Sequence, residues 1–190
     1  MVSTKLIERM KRNYIIYWFA VLLCFSVPAQ SIATVYSGSC GKSVKWTLNA
    51  ETGLLEITGS GGMYIYNNTG FKIPWDIYKN QIKYCTIGEG ITNISNDAFS
   101  NCSNLINVSL PNSISDIGHN AFTNCYNLTS IKLPNELISI GNGAFFNCYN
   151  LKEVSLPNTL TDIGEETFYC CSSLKEIKIP NSIKDIGVLV

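Results

Sequence analysis

The chain has 190 residues, 46% of them hydrophobic and 15% charged, enough for one or two small domains with a buried core. Formal net charge is zero, but the basic residues are unevenly spread: residues 34–190 hold ten lysines, no arginine and thirteen acids, a net of −3. Such a segment excludes a nucleic-acid binder and lacks the polybasic cluster that holds proteins to anionic lipid.

The first element is a leader. Lys5, Arg9, Lys11 and Arg12 precede an apolar run over residues 14–27, and small residues follow up to Ala33. A basic region, a short apolar run and small residues before a break predict a signal peptide over residues 1–33. The run is short for a bilayer, so no integral span is expected once the leader is cut; a signal anchor is the alternative. Cleavage is expected after Ala29, Ser31 or Ala33. Leu23 is too large for the position before a lipoprotein cysteine, so Cys24 reads as part of the apolar run.

Residues 34–81 form a β-rich module. Val44, Trp46 and Leu48 alternate with polar residues, as do Leu55 and Ile57, and Glu51-Thr-Gly53 is a turn signal, which together predict a β-hairpin. Gly59, Gly61 and Gly62 break the second strand, and residues 63–66 are a further strand candidate. The module is expected to cover the open end of the unit that follows. Trp46 and Trp75 also admit reading as a carbohydrate platform, although apolar alternation in a small domain ordinarily serves the core.

From residue 82 the chain repeats. Phe99, Phe122, Phe145 and Phe168 are spaced by 23, as are Cys102, Cys125, Cys148 and Cys171. So are Leu105, Leu128, Leu151 and Leu174, and Pro111, Pro134, Pro157 and Pro180. Ile94, Ile117, Ile140, Ile163 and Ile186 form a fifth column. Residues 82–190 therefore make four full coils and one partial coil. Leu128, Ile131 and Leu133 have strand alternation, Pro134 ends the strand, residues 137–140 form a second extended side and Gly141 turns the chain. Residues 142–147 carry the Phe knob on a helical or 3₁₀ turn. One coil cannot bury its apolar side alone, and stacked coils share a core. The expected fold is a right-handed, β-rich (α+β) solenoid of 23-residue coils with a small N-terminal β cap. Phe99, Phe122, Phe145 and Phe168 and the four column cysteines are its structural residues. No polar terminal cap follows residue 187, which reads as a short or truncated array.

The stretch Leu105-Ile-Asn-Val-Ser-Leu-Pro-Asn-Ser-Ile-Ser-Asp-Ile-Gly-His-Asn-Ala-Phe-Thr-Asn-Cys125 resembles the BspA-type (Treponema-type) leucine-rich repeat, whose units look like LxxIxLPxSIxxIGxxAFxxCxx. Ser-Gly-Ser-Cys40-Gly, Trp46-Thr-Leu, Gly-Ser-Gly61-Gly-Met and Pro74-Trp75 resemble the module that often precedes such repeats. The resemblance implies a leucine-rich-repeat solenoid on a secreted or surface-anchored, mainly bacterial protein, and several members look like adhesins for host matrix proteins or other cells. Two departures stand out: Ser95 replaces the turn Gly and Thr167 the repeat Ala.

No constellation reads as catalytic or metal-binding, and no cofactor is expected. His119 is the single histidine, in a polar column with Asn96, Asn142 and Glu165, and a general base needs oriented partners. The Cys column suggests disulfides or zinc, but zinc fingers use close Cys pairs. Column members about 5 Å apart suit a disulfide by Cα distance, yet ladder side chains point in parallel. Buried free thiols acting as small hydrophobes are the better reading, for Cys85 as well, leaving Cys40 as the exposed thiol. Residues 34–190 hold seven cysteines, an odd number. Asp116, Asp162 and Asp185 share a column interrupted by Ser139; a calcium ladder is conceivable, but no Gly-rich calcium repeat is present. Sequons at Asn67, Asn93, Asn101, Asn107 and Asn127 matter only if the source glycosylates.

Two columns place aromatics in adjacent coils: Ser103, Tyr126, Tyr149, Ser172 and Ser100, Thr123, Phe146, Tyr169. Their small polar alternates predict exposure, and clustered exposed aromatics favour contact with a partner. Tyr126, Phe146, Tyr149 and Tyr169 are the candidate ligand-binding residues. The alternatives are that these rings shield the turns, or that the polar strand face with Lys132, Glu153 and Lys178 binds instead. The function expected is a secreted or cell-surface interaction protein for a host or neighbouring-cell protein or glycan, with adhesion as one form, against a truncated structural or spacer copy without a dedicated ligand. Oligomeric state is left open.

Overall fold

The computed structural model describes residues 33–66 and 72–188, and every element lies in the compact unit Thr34–Val190. The expected leader, Ala33 apart, and the sequon at Asn67 fall outside those residues.

The 23-residue period becomes two parallel ladders. Strands β4 (Tyr84–Ile87), β6 (Asn107–Ser109), β8 (Ser130–Ile131) and β10 (Glu153–Val154) form one. Its register is Tyr84↔Asn107↔Ser130↔Glu153. Strands β5 (Asn93–Ile94), β7 (Asp116–Ile117), β9 (Ser139–Ile140), β11 (Asp162–Ile163) and β12 (Asp185–Ile186) form the other, with the five isoleucines in line. Four full coils and a partial fifth result. Strand alternation turns Cys85, Val108, Ile131 and Val154 inward and leaves their neighbours exposed. Leu105, Leu128 and Leu151 are fully buried, whereas Leu174 in the last coil is only partly so.

The Phe column is the spine of the core. Ring centroids lie 5.1 Å apart for Phe99–Phe122, 5.3 Å for Phe122–Phe145 and 5.5 Å for Phe145–Phe168, all within 2° of parallel. Offset-stacked pairs in this range add about 0.5–1.5 kcal/mol beyond the area they bury. Trp75 closes the spine at its N-terminal end, stacked 5.7 Å from Phe99 with its indole N–H donating to the Ala98 carbonyl at 2.7 Å.

The third side of each coil, expected as a helical or 3₁₀ turn over residues 142–147, is a series of single i→i+3 turns and not a continuous helix. Two residues per coil sit in the left-handed region: Asp97 and Asn101, Asn120 and Asn124, Gly143 and Asn147, Glu166 and Cys170. Left-handed residues at that spacing cannot continue a right-handed helix. Backbone donors alternate instead. Phe99 and Asn101 N–H reach forward to Ala121 and Thr123 of the next coil, at 2.8 Å each, whereas Ser100 and Cys102 N–H bend back to Asp97 and Phe99. This third side is thus hydrogen-bonded between coils as the strands are.

Both departures from the repeat pattern have physical reasons. A Cβ at Gly118, Gly141 or Gly164 would come within 2.6 Å of backbone nitrogen in the preceding coil. Ser95 lies in the first coil, with no repeat coil beneath it. Thr167 is fully buried and its hydroxyl donates to Gly164 O at 2.7 Å and lies 3.3 Å from Gly141 O.

In the N-terminal segment β1 (Val35–Ser39), β2 (Val44–Asn49) and β3 (Leu54–Gly59) are antiparallel neighbours, with β2 and β3 forming the expected hairpin. β3 pairs in parallel with β4, Leu55 beside Cys85 and Ile57 beside Ile87, so these strands extend the repeat sheet. A 3₁₀ helix spans Asp76–Gln81. Residues 63–66 form no strand: Met63 and Tyr64 N–H donate to the Asn93 side chain and the Cys40 carbonyl instead of to a strand partner. Trp46 and Trp75 are buried edge to face, ring centroids 6.0 Å apart, which removes the carbohydrate-platform reading.

Candidate functional site

The turn side presents five consecutive positions per coil between the buried Phe and the next strand. One of them, the Cys column, points inward. Cys125, Cys148 and Cys171 each place Sγ 3.1–3.2 Å from the carbonyl of Phe99, Phe122 and Phe145, one coil earlier. A thiol is a small apolar group with a weak donor, and here it satisfies a carbonyl inside the core. The described cysteines are all free thiols. Burial raises Cys102 to about 12 and Cys171 to about 11, and pushes Cys125 and Cys148 up as well.

The other four positions face outward. Tyr126 and Tyr149 stack with centroids 5.3 Å apart and planes 7° from parallel; Phe146 and Tyr169 stack at 5.6 Å and 23°. Tyr126, Tyr149 and Tyr169 are 39–43% exposed and Phe146 is half-buried. The four candidate residues are thus brought together pairwise on the surface, each ring covered by its partner on one side. Between the two aromatic columns runs an amide ladder: Asn124 Nδ2 donates to Asn101 Oδ1 at 2.9 Å, and Asn147 Nδ2 to Asn124 Oδ1 at 2.8 Å. Asn suits this column twice, because it tolerates the left-handed backbone and its amide both donates and accepts.

The exposed thiol among the described cysteines is Cys170, not Cys40, which is completely buried and accepts the Tyr66 hydroxyl through its carbonyl. Burial lifts the Cys40 thiol to about 12. Cys40 was expected to be the exposed thiol, but it packs in the core with Trp46, Tyr66 and Trp75. Cys170 occupies the Asn101, Asn124, Asn147 column, and that column break was the signal available in the sequence.

The histidine and aspartate columns are scaffold. Asn96 Oδ1 accepts the His119 backbone N–H at 2.8 Å, His119 Nδ1 accepts that of Asn142 at 2.9 Å, and Asn142 Oδ1 that of Glu165 at 3.2 Å. His119 is one acceptor in a series. Asp116 accepts from Ser139 Oγ at 2.7 Å and from Ser115, and Asp162 from Thr161. Among the described residues no group of three or more His, Cys, Asp or Glu is placed to hold a metal ion. No helix among them is long and apolar enough to cross a membrane.

Comparison with known proteins places this geometry. A family model described as "BspA type Leucine rich repeat region" matches residues 76–189 in six copies. A search of curated proteins finds no match. Among solved structures, the chain is similar to a leucine-rich repeat protein from Eubacterium ventriosum, with TM-score 0.61 and 22% identity over 78% of this chain and 45% of that one. It is similar to the T. pallidum leucine-rich repeat protein, with TM-score 0.55 and 25% identity over 73% and 70%. A leucine-rich repeat protein from Bacteroides ovatus gives TM-score 0.54 and 28% identity over 75% and 41%. The chain spans under half the length of the first and third of these.

Proposed function

The chain belongs to the BspA-type leucine-rich repeat family, and from that premise we propose that it is a secreted or cell-surface bacterial protein that binds a protein or glycan of a host or neighbouring cell. Leucine-rich-repeat solenoids are in general scaffolds for binding, because side chains in one column form a stripe whose chemistry is set coil by coil. The observation that carries the reading is the pair of exposed aromatic stacks, Tyr126–Tyr149 and Phe146–Tyr169, on one side of the coils. Buried rings are explained by the core; exposed, clustered rings favour contact with a partner.

The test pairs export with binding. Mass spectrometry of the exported protein should find a new N-terminus between Gln30 and Thr34. That protein is then screened on immobilised matrix proteins and on a glycan array, beside the variant with Tyr126, Phe146, Tyr149 and Tyr169 changed to Ser. Binding by the parent and its loss in a folded variant support the turn face. Binding retained in the variant moves the site to the strand face with Lys132, Glu153 and Lys178. No binding on either surface supports the second reading, a spacer copy without a dedicated ligand.

A further inference from the structure

We propose that β1 (Val35–Ser39) is the interface for a second copy of this chain, the two β1 strands pairing antiparallel about a two-fold axis at Ser37.

β1 is the outermost strand of its sheet, and among the described residues no strand pairs with its outer edge. The direction of its backbone groups follows from its two ends. Ala50 N–H donates to the Thr34 carbonyl at 2.9 Å, and Cys40 N–H to the Val44 carbonyl at 2.9 Å. Thr34 and Cys40 therefore turn their backbone groups toward β2. In an antiparallel pair, residues that bond across the ladder alternate with residues that do not. Tyr36 and Gly38 thus bond to Leu48 and Trp46, their register partners. The N–H and C=O groups of Val35, Ser37 and Ser39 point outward, and these three residues are exposed. An edge of this kind is a template for another strand, and soluble proteins ordinarily blunt it with Lys, Pro or a bulge. Val-Tyr-Ser-Gly-Ser has no charge and no proline, and its register with β2 runs unbroken.

The strand's own sequence selects the second copy as occupant. Pairing about Ser37 sets Ser37 against Ser37 and Val35 against Ser39. Every outward residue then meets an outward residue, and each such pair exchanges two hydrogen bonds. No charge is brought against its like. The same register sets the second copy's Tyr36 opposite Gly38, in a non-bonded pair, where facing side chains come closest. Residues 36 and 38 share one face of the strand.

Gly38 is the position that such a ring suits. Trp46 is buried beside it with its indole N–H unpartnered, and a Cβ at Gly38 would lie 2.8 Å from that nitrogen. Residue 38 therefore has no room for a side chain of its own to cover the indole edge. A ring from the facing strand is what compensates a glycine at a sheet edge. Tyr36 is held ready by its stack on Tyr78, ring centroids 4.0 Å apart. Val35 and Ile77, chain neighbours of the two stacked rings, are 56% and 81% exposed and add apolar surface. A contact of this symmetry closes at two chains and builds no filament.

The test is sedimentation of the exported protein together with amide hydrogen exchange followed by NMR. A reversible dimer is expected, with a dissociation constant of about 1–100 μM. As the protein is concentrated through that range, exchange should slow at Val35, Ser37 and Ser39. Tyr36 and Gly38 should exchange slowly throughout, and the Trp46 indole N–H signal should move as the dimer forms. Ser37→Pro removes an outward N–H and no bond to β2, so it should give a folded monomer. Ser37→Lys, which sets like charges against each other at the axis, should do the same where proline disturbs the strand. Ser37→Ala should dimerise as the parent does. The proposal is overturned by a parent that stays monomeric at about 1 mM, by a dimer whose three outward amides exchange freely, or by a dimer that survives both Ser37→Pro and Ser37→Lys.

Discussion

Cys170 stands in the left-handed backbone site that Asn147 fills one coil earlier, with φ of 61° against 60°. Asn147 and Asn124 each donate a side-chain amide to the coil before, and at Cys170 a thiol takes the amide's place. The left-handed region costs an ordinary residue about 1–2 kcal/mol, and Asn is among the residues that enter it most readily. Cys170→Asn should relieve part of that cost and add one amide hydrogen bond. We expect a gain of about 1 kcal/mol, seen as a higher urea midpoint at unchanged slope. An unchanged or lower midpoint would mean that the last coil is not held in the ladder.

The same position predicts a labelling pattern. Thiolates are the reactive species, and burial that raises a thiol's pKa also hides it. A brief iodoacetamide pulse on the native protein, followed by peptide mapping, should modify Cys170 and spare Cys40, Cys85, Cys102, Cys125, Cys148 and Cys171. Those six should become reactive together on unfolding. Fast labelling of any column cysteine in the native state would contradict the packed core.

Phe122 and Phe145 lie between two ring neighbours and are fully buried. Truncating either to Ala removes its burial and opens a gap that rigid coils above and below cannot close. Each substitution should cost about 3–5 kcal/mol. Phe168 is 7% exposed and has one stacked neighbour, so Phe168→Ala should cost less than either. Equal urea midpoints for Phe122→Ala and the parent would remove the Phe column from the core.

The period of 23 made the ladders, the Phe spine and the exposed aromatic pairs legible, because a strict repeat states which residues are neighbours before any backbone is drawn. The third side was expected as a helical or 3₁₀ turn, and it keeps the i→i+3 bonds of single turns without continuing as a helix. What decides it is the left-handed backbone at Asn120 and Asn124, which amino-acid type only hints at. Cys40 and residues 63–66 were misplaced for another reason. The N-terminal segment does not repeat, so nothing in the sequence says which loops fold inward. The His119 ladder went unseen because its acceptors are chemically unlike, Asn, His and Asn, and only geometry shows them performing one task.

That ladder gives a prediction that separates scaffold from chemistry at His119. Its Nδ1 accepts the Asn142 N–H, as Asn96 Oδ1 and Asn142 Oδ1 accept their neighbours'. His119→Ala should lose about 0.5–1.5 kcal/mol, the net worth of one hydrogen bond. His119→Asn should restore most of it, since Asn performs that role in the flanking coils. Binding in the matrix and glycan screens should follow neither change. If Asn fails to rescue stability, the histidine has a role that the ladder does not describe.

Alkaline sensitivity is the last expectation, and its sign follows from the thiols. Burial raises Cys40 and Cys102 to about 12 and Cys171 to about 11, and lifts Cys85, Cys125 and Cys148 above the ordinary value too. An unfolded thiol titrates near 8.5. Below that pH both states are protonated and the full stability is present. Above it the unfolded chain releases protons that the folded chain keeps, so stability falls as pH rises, until each folded value is passed. Each such thiol withdraws at most about 1.4 kcal/mol per pH unit in that window, and their losses act in the same direction. The Tyr66 phenol, also raised by burial, adds to the loss above about pH 10. Urea midpoints should therefore be level up to about pH 8 and fall as pH rises from about pH 9. Cys102, Cys125 and Cys148 changed together to Ala should flatten the drop by about half, whatever the variant loses at neutral pH. A parent whose midpoint is the same at pH 8 and pH 10 would show that the thiols ionise in the folded state, and hence that the column is open to water.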